Sequence, residues 1–418
     1  MGAEQHKPER SHERQIVIVG ASGFTNLGDD AILAAMVAEL RAAILGVRLL
    51  IATGDPTMLT PDSPWGGADV TPLPFNDAAI SQALAQADLL IVGGGGFIYD
   101  YDARVSTYPF LHGDSSLFYP HYRAIVTAHT LGVPIHVYAI GVGPLVTAAG
   151  RGLTRTVLSL ASAITVRDPL SLIELHSTGL SNPVPVLTAD PALGLAPRAK
   201  RTPTENPPVV GFVARAWLRL GGDWTRTGRE RFERYIDWLA AGADYAVERW
   251  GATPLFLPLQ RLFDDDREIE LQIIARMRHG KRARLLDDLT DFRELQATLG
   301  GLAALVSTRL HPLILASLAG VPPIGVALSP KVRALLQTLG LPEQTVSPWL
   351  ARVTDLRAAL DRALGDSKHV QDRLAVGIAA EATAAARNPA IAAALLATAH
   401  GKRTTATETL PSPVVRAQ

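Results

Sequence analysis

The sequence predicts an α/β protein built from two Rossmann-like, doubly wound domains in tandem, followed by C-terminal helices. Three observations predict it. Short apolar runs alternate with longer stretches of helical periodicity, the pattern of parallel strands covered by helices. The alternation breaks in a proline-rich stretch, Pro191 to Pro208, and then restarts. From Leu350 to Ala399 the chain is alanine-rich and helical, able to pack on either domain.

The first half opens with the strand Gln15–Val19, a glycine-containing turn, and helical periodicity from Ala31 to Leu45. Further strands are expected at Val47–Ala52, Leu89–Val92, Ile135–Ile140, Ile164–Val166 and Val186–Leu187. Helical segments lie near Ala78–Gln86, Leu117–Leu131, Thr154–Ala161 and Leu170–Ser177. In the second half strands are expected at Val209–Val213, Pro254–Leu257, Ala283–Leu286, Ala303–Val306 and Pro323–Val326. Helices are expected at Arg229–Arg249, Arg267–Arg278, Asp291–Leu299, Leu310–Leu318 and Lys331–Leu339. The implied boundaries are a disordered N-terminus 1–14, a first domain 15–192, a linker 193–207, a second domain 208–345, C-terminal helices 346–400 and a disordered tail 401–418. Tandem domains of this kind bind ligand in the cleft between them, at the carboxyl ends of the strands.

Composition narrows the function. The 418 residues are 47% hydrophobic and 19% charged, as in a globular protein with an ample core. Lys plus Arg (40) balances Asp plus Glu (40), so nucleic acid is not an expected partner. The absence of cysteine excludes disulfides, thiolate metal sites and cysteine nucleophiles. The polar N-terminus shows no secretory signal. The long uncharged runs Ala124–Gly150 and Pro312–Leu328 are broken by Pro and Gly, so they read as buried helix–turn–strand units rather than membrane spans. A cytoplasmic location fits, with peripheral contact at the inner membrane face left open.

Four constellations can carry chemistry. GASGFTNLGDDAIL, Gly20 to Leu33, follows the first strand but matches neither the dinucleotide nor the Walker pattern. Asp29 and Asp30 near the first helical turn suit the helix dipole and repel phosphate. The segment reads either as a capped turn or as a loop in which Asn26 or Asp29 binds sugar hydroxyls. ADLLIVGGGGFIYDYD places Gly93 to Gly96 directly after a buried strand, where they permit close ligand approach. Asp100 and Asp102 lie just beyond as candidate general bases, whereas His112, His121 and His129 are scattered. ITVRDPLS delivers Arg167 and Asp168 into a turn before a helix, either as a surface pair or with Arg167 as an anion clamp.

The fourth is STRLHPLILASLAGVPPIGVALSPKV. Arg309 and His311 stand at a buried helix start, where a cation costs roughly 0.3–1 kcal/mol unless something negative meets it. Residues two apart do not share a helix face, so the two side chains converge only if Arg309 is still in the turn. Lys331 follows the next strand, and Arg215 follows the strand VVGFVA on the same rim. Together Arg167, Arg215, Arg309, His311 and Lys331 imply a small, dense anion, and a ligand with both carboxylate and phosphate would neutralise them. No metal motif stands out, and the acidic run 264–266 reads as a solvated helix start. A GxSxG elbow is missing.

With those pieces in order, the chain resembles the polysaccharide pyruvyl transferases. The matching segments are GASGFTNLGDDAIL, DLLIVGGGGFIYD, AIGVGPL, ITVRDPLS, TADPAL and the RLH…PK run, over roughly residues 15 to 340. The resemblance implies a fold like that of glycosyltransferase-B enzymes, with two domains facing across a cleft. It also implies transfer of the enolpyruvyl unit of phosphoenolpyruvate to a sugar, forming a pyruvate ketal with release of phosphate. By the resemblance, Arg167, Arg309, His311 and Lys331 align with donor-binding and catalytic positions, and Gly23, Asn26, Gly28 and Asp29 match the first loop. Two departures stand out: Ala21 and Ser22 replace the aromatic residues common in that loop, and the usual tyrosine before the PK segment is replaced near Leu328.

The combined expectation assigns His311, Arg309 and Asp100 to catalysis, with His311 managing protons and Asp100 or Asp29 as base. Donor binding falls to Arg167, Arg215, Arg309 and Lys331. Acceptor binding falls to Gly23, Asn26, Asp29, Gly94, Gly95 and Gly96. No metal or cofactor is expected, phosphoenolpyruvate being a co-substrate, and the acceptor is a glycan or lipid-linked sugar. The rivals are a sugar-nucleotide glycosyltransferase of the same architecture and a non-catalytic glycan- or anion-binding relative.

Overall fold

The computed structural model describes residues 14–24, 26–60, 63, 65–100, 118–195, 207–215, 226–260, 265–289, 292–349 and 353–407. The expected N-terminal arm, most of the linker, Asp102 and His112 lie outside the described residues.

The first half forms a parallel sheet of β1 (Arg14–Val19), β2 (Val47–Thr53), β3 (Val70–Pro74), β4 (Leu89–Gly93), β5 (Ile135–Ile140), β6 (Ala163–Val166) and β7 (Val186–Leu187). Their order is β3-β2-β1-β4-β5-β6-β7. Helices α1 (Leu27–Ala43), α2 (Asp77–Leu84), α3 (Phe118–Thr130), α4 (Ala148–Leu158) and α5 (Pro169–Ser177) connect them. The second half repeats the plan with β8 (Val209–Val213), β9 (Thr253–Phe256), β10 (Arg284–Leu285), β11 (Ala304–Ser307), β12 (Pro323–Val326) and β13 (Thr345–Val346), in the order β10-β9-β8-β11-β12-β13. Helices α6 (Arg226–Trp250), α7 (Asp266–Arg276), α8 (Phe292–Gly300), α9 (Leu310–Leu318) and α10 (Pro330–Thr338) cover it. Strand order reverses between β1 and β4 in one sheet and between β8 and β11 in the other. Loops diverge at such points and leave a crevice.

Central strands bury both faces. In β1, Ile16 and Ile18 join one apolar cluster, while Val17 and Val19 join another on the opposite face. In β8, Val209 and Val213 enter the first cluster too, and Val210 and Phe212 a third. The first cluster therefore spans both halves: Leu27, Ala31 and Ala34 of α1 share it with Leu313, Ile314 and Ala316 of α9. The uncharged runs form α3–β5 and α9–β12, and their strands β5 and β12 are buried throughout. Among the described residues no helix is long and apolar enough to cross a membrane.

The C-terminal region divides into α11 (Val353–Gly365), α12 (Ser367–Ala385) and α13 (Arg387–Thr407). Helix α11 stays with the second half, where Leu356, Ala359 and Leu360 join its outer cluster. Helices α12 and α13 return to the first half, and Val370, Leu374 and Leu396 enter the shared cluster. Helix α13 continues past residue 400, where the sequence reading ends the helical region, and 408–418 lie outside the described residues. The front of the proline-rich break, Pro191–Gly194, is a short 3-10 turn whose Pro191, Ala192 and Leu193 are buried. It is a packed part of the first half, because α1 and α12 both lie on it.

Candidate active site

Each half supplies its site residues from loops at the carboxyl edge of its sheet. Arg167 follows β6 and is buried, its Nη1 donating to Asp190 Oδ2 at 2.5 Å. Asp190 follows β7 and starts the 3-10 turn, accepting from the Ala192 amide at 3.1 Å. From the other half, His311 in the first turn of α9 brings Nε2 to 3.5 Å from Arg167 Nη1 and 3.7 Å from Asp190 Oδ2. One carboxylate thus faces a guanidinium and an imidazole from opposite halves. Burial opposes ionisation of Asp190, but Arg167, His311 and the Ala192 amide outweigh it and lower its pKa to about 2.

Glycines make the approach possible. A Cβ on Gly28 would lie 2.2 Å from His311 Nδ1. A Cβ on Gly96 would meet Arg167 Nη2 at 3.0 Å and Lys331 Nζ at 3.2 Å, so these two cations flank one point of the glycine loop. Gly141 lies beneath the same guanidinium, its absent Cβ 3.0 Å from Arg167 Nε. It follows an irregularity in β5, where the register with β6 shifts between Val137 and Ile140 and Ala139 takes φ 46°. Lys331, at the start of α10, has its pKa lowered to about 8 by burial and Arg167, partly opposed by Asp168, with Arg215 adding to the lowering. Arg215 donates its amide to Tyr235 Oη at 3.3 Å.

The first loop packs against this centre. Asn26 caps α1 by accepting from the Gly28 amide at 3.2 Å, and its Nδ2 donates to Asp29 Oδ2 at 2.7 Å. Burial raises the pKa of Asp29, opposed by His311 and Arg167 and reinforced by Asp190. Gly23, at φ 77°, donates its amide to Asp30 Oδ1 at 3.2 Å. Gly94 packs on Ile32 and Met36, and Gly95 accepts from the Gly141 amide at 2.8 Å.

The structure brings Arg167, His311, Lys331, Asp29 and Gly96 together, and places two others elsewhere. Asp100 is buried and accepts from the Thr147 amide at 2.8 Å and hydroxyl at 2.5 Å and from the Val146 amide. Its carboxylate organises the turn into α4 and does not face His311. Arg309 stands at the N-terminal boundary of α9, makes no capping bond with its side chain and turns to Asp266, with Nε–Oδ2 at 2.7 Å and Nη2–Oδ1 at 2.6 Å. The two side chains of the RLH run part even though Arg309 is still in the turn, because Asp266 draws its guanidinium away. Asp266 is fully buried and also accepts from the Leu259 and Gln260 amides. The acidic run read as a solvated helix start is therefore partly internal, because Asp266 neutralises Arg309; Asp264 lies outside the described residues. Asp168 caps α5 through the Ser171 amide at 2.8 Å, and does not form a surface pair with Arg167.

Asp190 was missed as a site residue, although TADPAL repeats the Asp-Pro helix start of VRDPL after a strand. His121 is buried and stacks on Phe97 with ring centroids 3.7 Å apart. Among the described residues no group of three or more His, Cys, Asp or Glu is placed to hold a metal.

Two parallel doubly wound sheets, with basic side chains gathered where their carboxyl edges meet, define a glycosyltransferase-B-like α/β protein. Solved structures share that fold. A UDP-GlcNAc 2-epimerase from Methanocaldococcus jannaschii matches at TM-score 0.54 and 10% identity, covering 84% of this chain and 92% of that one. A putative UDP-N-acetylglucosamine 2-epimerase from Listeria monocytogenes matches at TM-score 0.54 and 13% identity, covering 96% and 100%. Anabaena Alr3699/HepE in complex with UDP and glucose matches at TM-score 0.52 and 12% identity, covering 96% and 100%. The model of the polysaccharide pyruvyl transferase family matches residues 26–330, and the chain belongs to that family. No curated protein sequence matches it.

Proposed function

We propose that this protein transfers the pyruvyl unit of phosphoenolpyruvate to a sugar of a cell-wall or exopolysaccharide precursor, closing a pyruvate ketal and releasing phosphate. Family membership supports a pyruvyl transferase. The observation that carries the donor assignment is the meeting of Arg167, His311 and Lys331, from both halves, around Gly28 and Gly96. Arg167 lies close enough to Lys331 to lower its pKa, and a compact anion held between the two relieves that repulsion.

In this reading Arg167 and Lys331 grip the anionic groups of the donor, while Arg309, its fork committed to Asp266, takes no part in holding it. His311 delivers a proton to the methylene carbon, which becomes the methyl group, and positive character develops at C2. A sugar hydroxyl adds to C2 and gives its proton to Asp29, whose raised pKa suits a base. The bond from C2 to the phosphate oxygen then breaks, and phosphate leaves with the proton held by Asp29. The second hydroxyl adds to C2, closes the ring and returns a proton to His311. Ionised Asp190 holds the imidazole and guanidinium in place throughout.

The competing reading is a sugar-nucleotide glycosyltransferase, since HepE carries UDP and glucose on this fold. Calorimetric titration with phosphoenolpyruvate and with UDP-sugars separates the two. Incubation with phosphoenolpyruvate and a panel of lipid- or nucleotide-linked sugars should release phosphate and add the pyruvyl mass to one acceptor. Binding of UDP-glucose without binding of phosphoenolpyruvate overturns the proposal. Donor binding without phosphate release on any acceptor leaves an anion-binding relative.

A further inference from the structure

Asp190 is held from behind by the last helix. Asn388, in the first turn of α13, is fully buried. Its Oδ1 accepts from Thr188 Oγ1 at 2.9 Å, and its Nδ2 donates to the Ala189 carbonyl at 3.4 Å. Beside it, Arg387 Nη1 donates to the Leu187 carbonyl at 3.0 Å. Three consecutive residues ahead of Asp190 are thus tied to one helix start nearly 200 positions along the chain. Helix α12 packs on the turn that follows, 191–194, so the Asp190 segment is gripped on both sides. Thr188 also reaches the Val166 carbonyl at 3.2 Å, next to Arg167.

We infer that Asn388 is a positioning residue: through Thr188 and Ala189 it sets where Asp190 stands, and Asp190 in turn sets Arg167 and His311. The helix that carries it lies outside the 26–330 span of the family match, so this part of the active site is supplied by an element the family signature does not contain. The physical reason is geometric. Asp190 must stand close to two partners from opposite halves, 2.5 Å from Arg167 and 3.7 Å from His311, and β7, only two residues long, is a weak anchor for it. A buried amide that both accepts and donates fixes the loop in two directions. The inference deepens the pyruvyl-transfer reading and rests on it for its kinetic arm only.

Its test compares Asn388→Ala and Thr188→Val, which cut the link from either end, with Leu396→Ala, which loosens the packing of the same helix without touching the loop. The ring nitrogens of His311 are followed by long-range proton–nitrogen NMR in the ligand-free protein, assigned against His311→Gln. The His311 signals should move in both link variants and stay in place in Leu396→Ala. Turnover with phosphoenolpyruvate should fall about 10- to 100-fold in the link variants, the scale of small misplacements far from the reacting atoms. Unmoved His311 signals in Asn388→Ala and Thr188→Val, or loss of activity that merely tracks melting temperature across all three variants, overturns the inference. If Asn388→Ala does not fold, Thr188→Val alone decides. Absence of phosphoenolpyruvate turnover in the wild type would count against the functional reading and leave the NMR comparison intact.

Discussion

Gly28 sits inside the first turn of α1, where helix propensity favours alanine by about 1 kcal/mol. His311 occupies the space a methyl would need. Gly28→Ala should therefore reduce turnover by about 100-fold through a displaced imidazole, while circular dichroism shows an unchanged helix content. His311→Ala should abolish turnover and leave calorimetric binding of phosphoenolpyruvate in place; wild-type turnover would remove the ring from the mechanism. Lys331 gives a pH test. Its ammonium is lost as pH rises through about 8, so donor affinity should fall above that pH, and Lys331→Arg should extend binding to higher pH. The folding sign is opposite: its folded pKa lies below the ordinary 10.5, the unfolded chain holds more protons between the two, and stability of the empty protein rises across that window.

Elements show what pattern reasoning reads and where it stops. β5, β7, β8, β12 and α9 have the ends that alternation and turn residues suggest, because each is a bounded apolar run. β3, VTPLP, escaped notice because it carries Pro72 and Pro74; as an edge strand it needs fewer amide donors. β13 is two residues long and carries no pattern. Among site residues, Arg167, His311 and Lys331 were legible because a cation after a strand in an apolar context is conspicuous. Asp190, Asp266 and Asn388 were not, since an acid or amide beside a helix start reads equally well as a cap. Asp100 was over-read for the same reason: it bonds the backbone at the start of α4. Helix α1 also holds Glu39, whose Oε2 accepts from Tyr138 Oη at 2.9 Å and whose pKa is raised to about 7 by burial. With a folded value above the ordinary 4.5, its contribution is full below that pH and is lost as pH rises through about 7. Glu39→Gln, which keeps the acceptor and removes the charge, should melt higher than wild type at pH 8 and level with it near pH 4.

At the scale of the molecule, the shared apolar cluster and the returning helices join the two halves into one cooperative unit. Calorimetry should show a single unfolding transition, and two resolved transitions would contradict a common core. Ending the chain at Gly365 removes Val370, Leu374 and Leu396 from that cluster, each worth roughly 1.5–3 kcal/mol of burial. Such a chain should lose cooperativity, measured by urea titration.

The contact of His311 with Gly28 and Asp190 crosses the seam between the halves. Any gaping along that seam draws the imidazole off its carboxylate and away from Arg167. In the proposed reaction a parted molecule would therefore lack its assembled acid, so that turnover and closure of the seam go together.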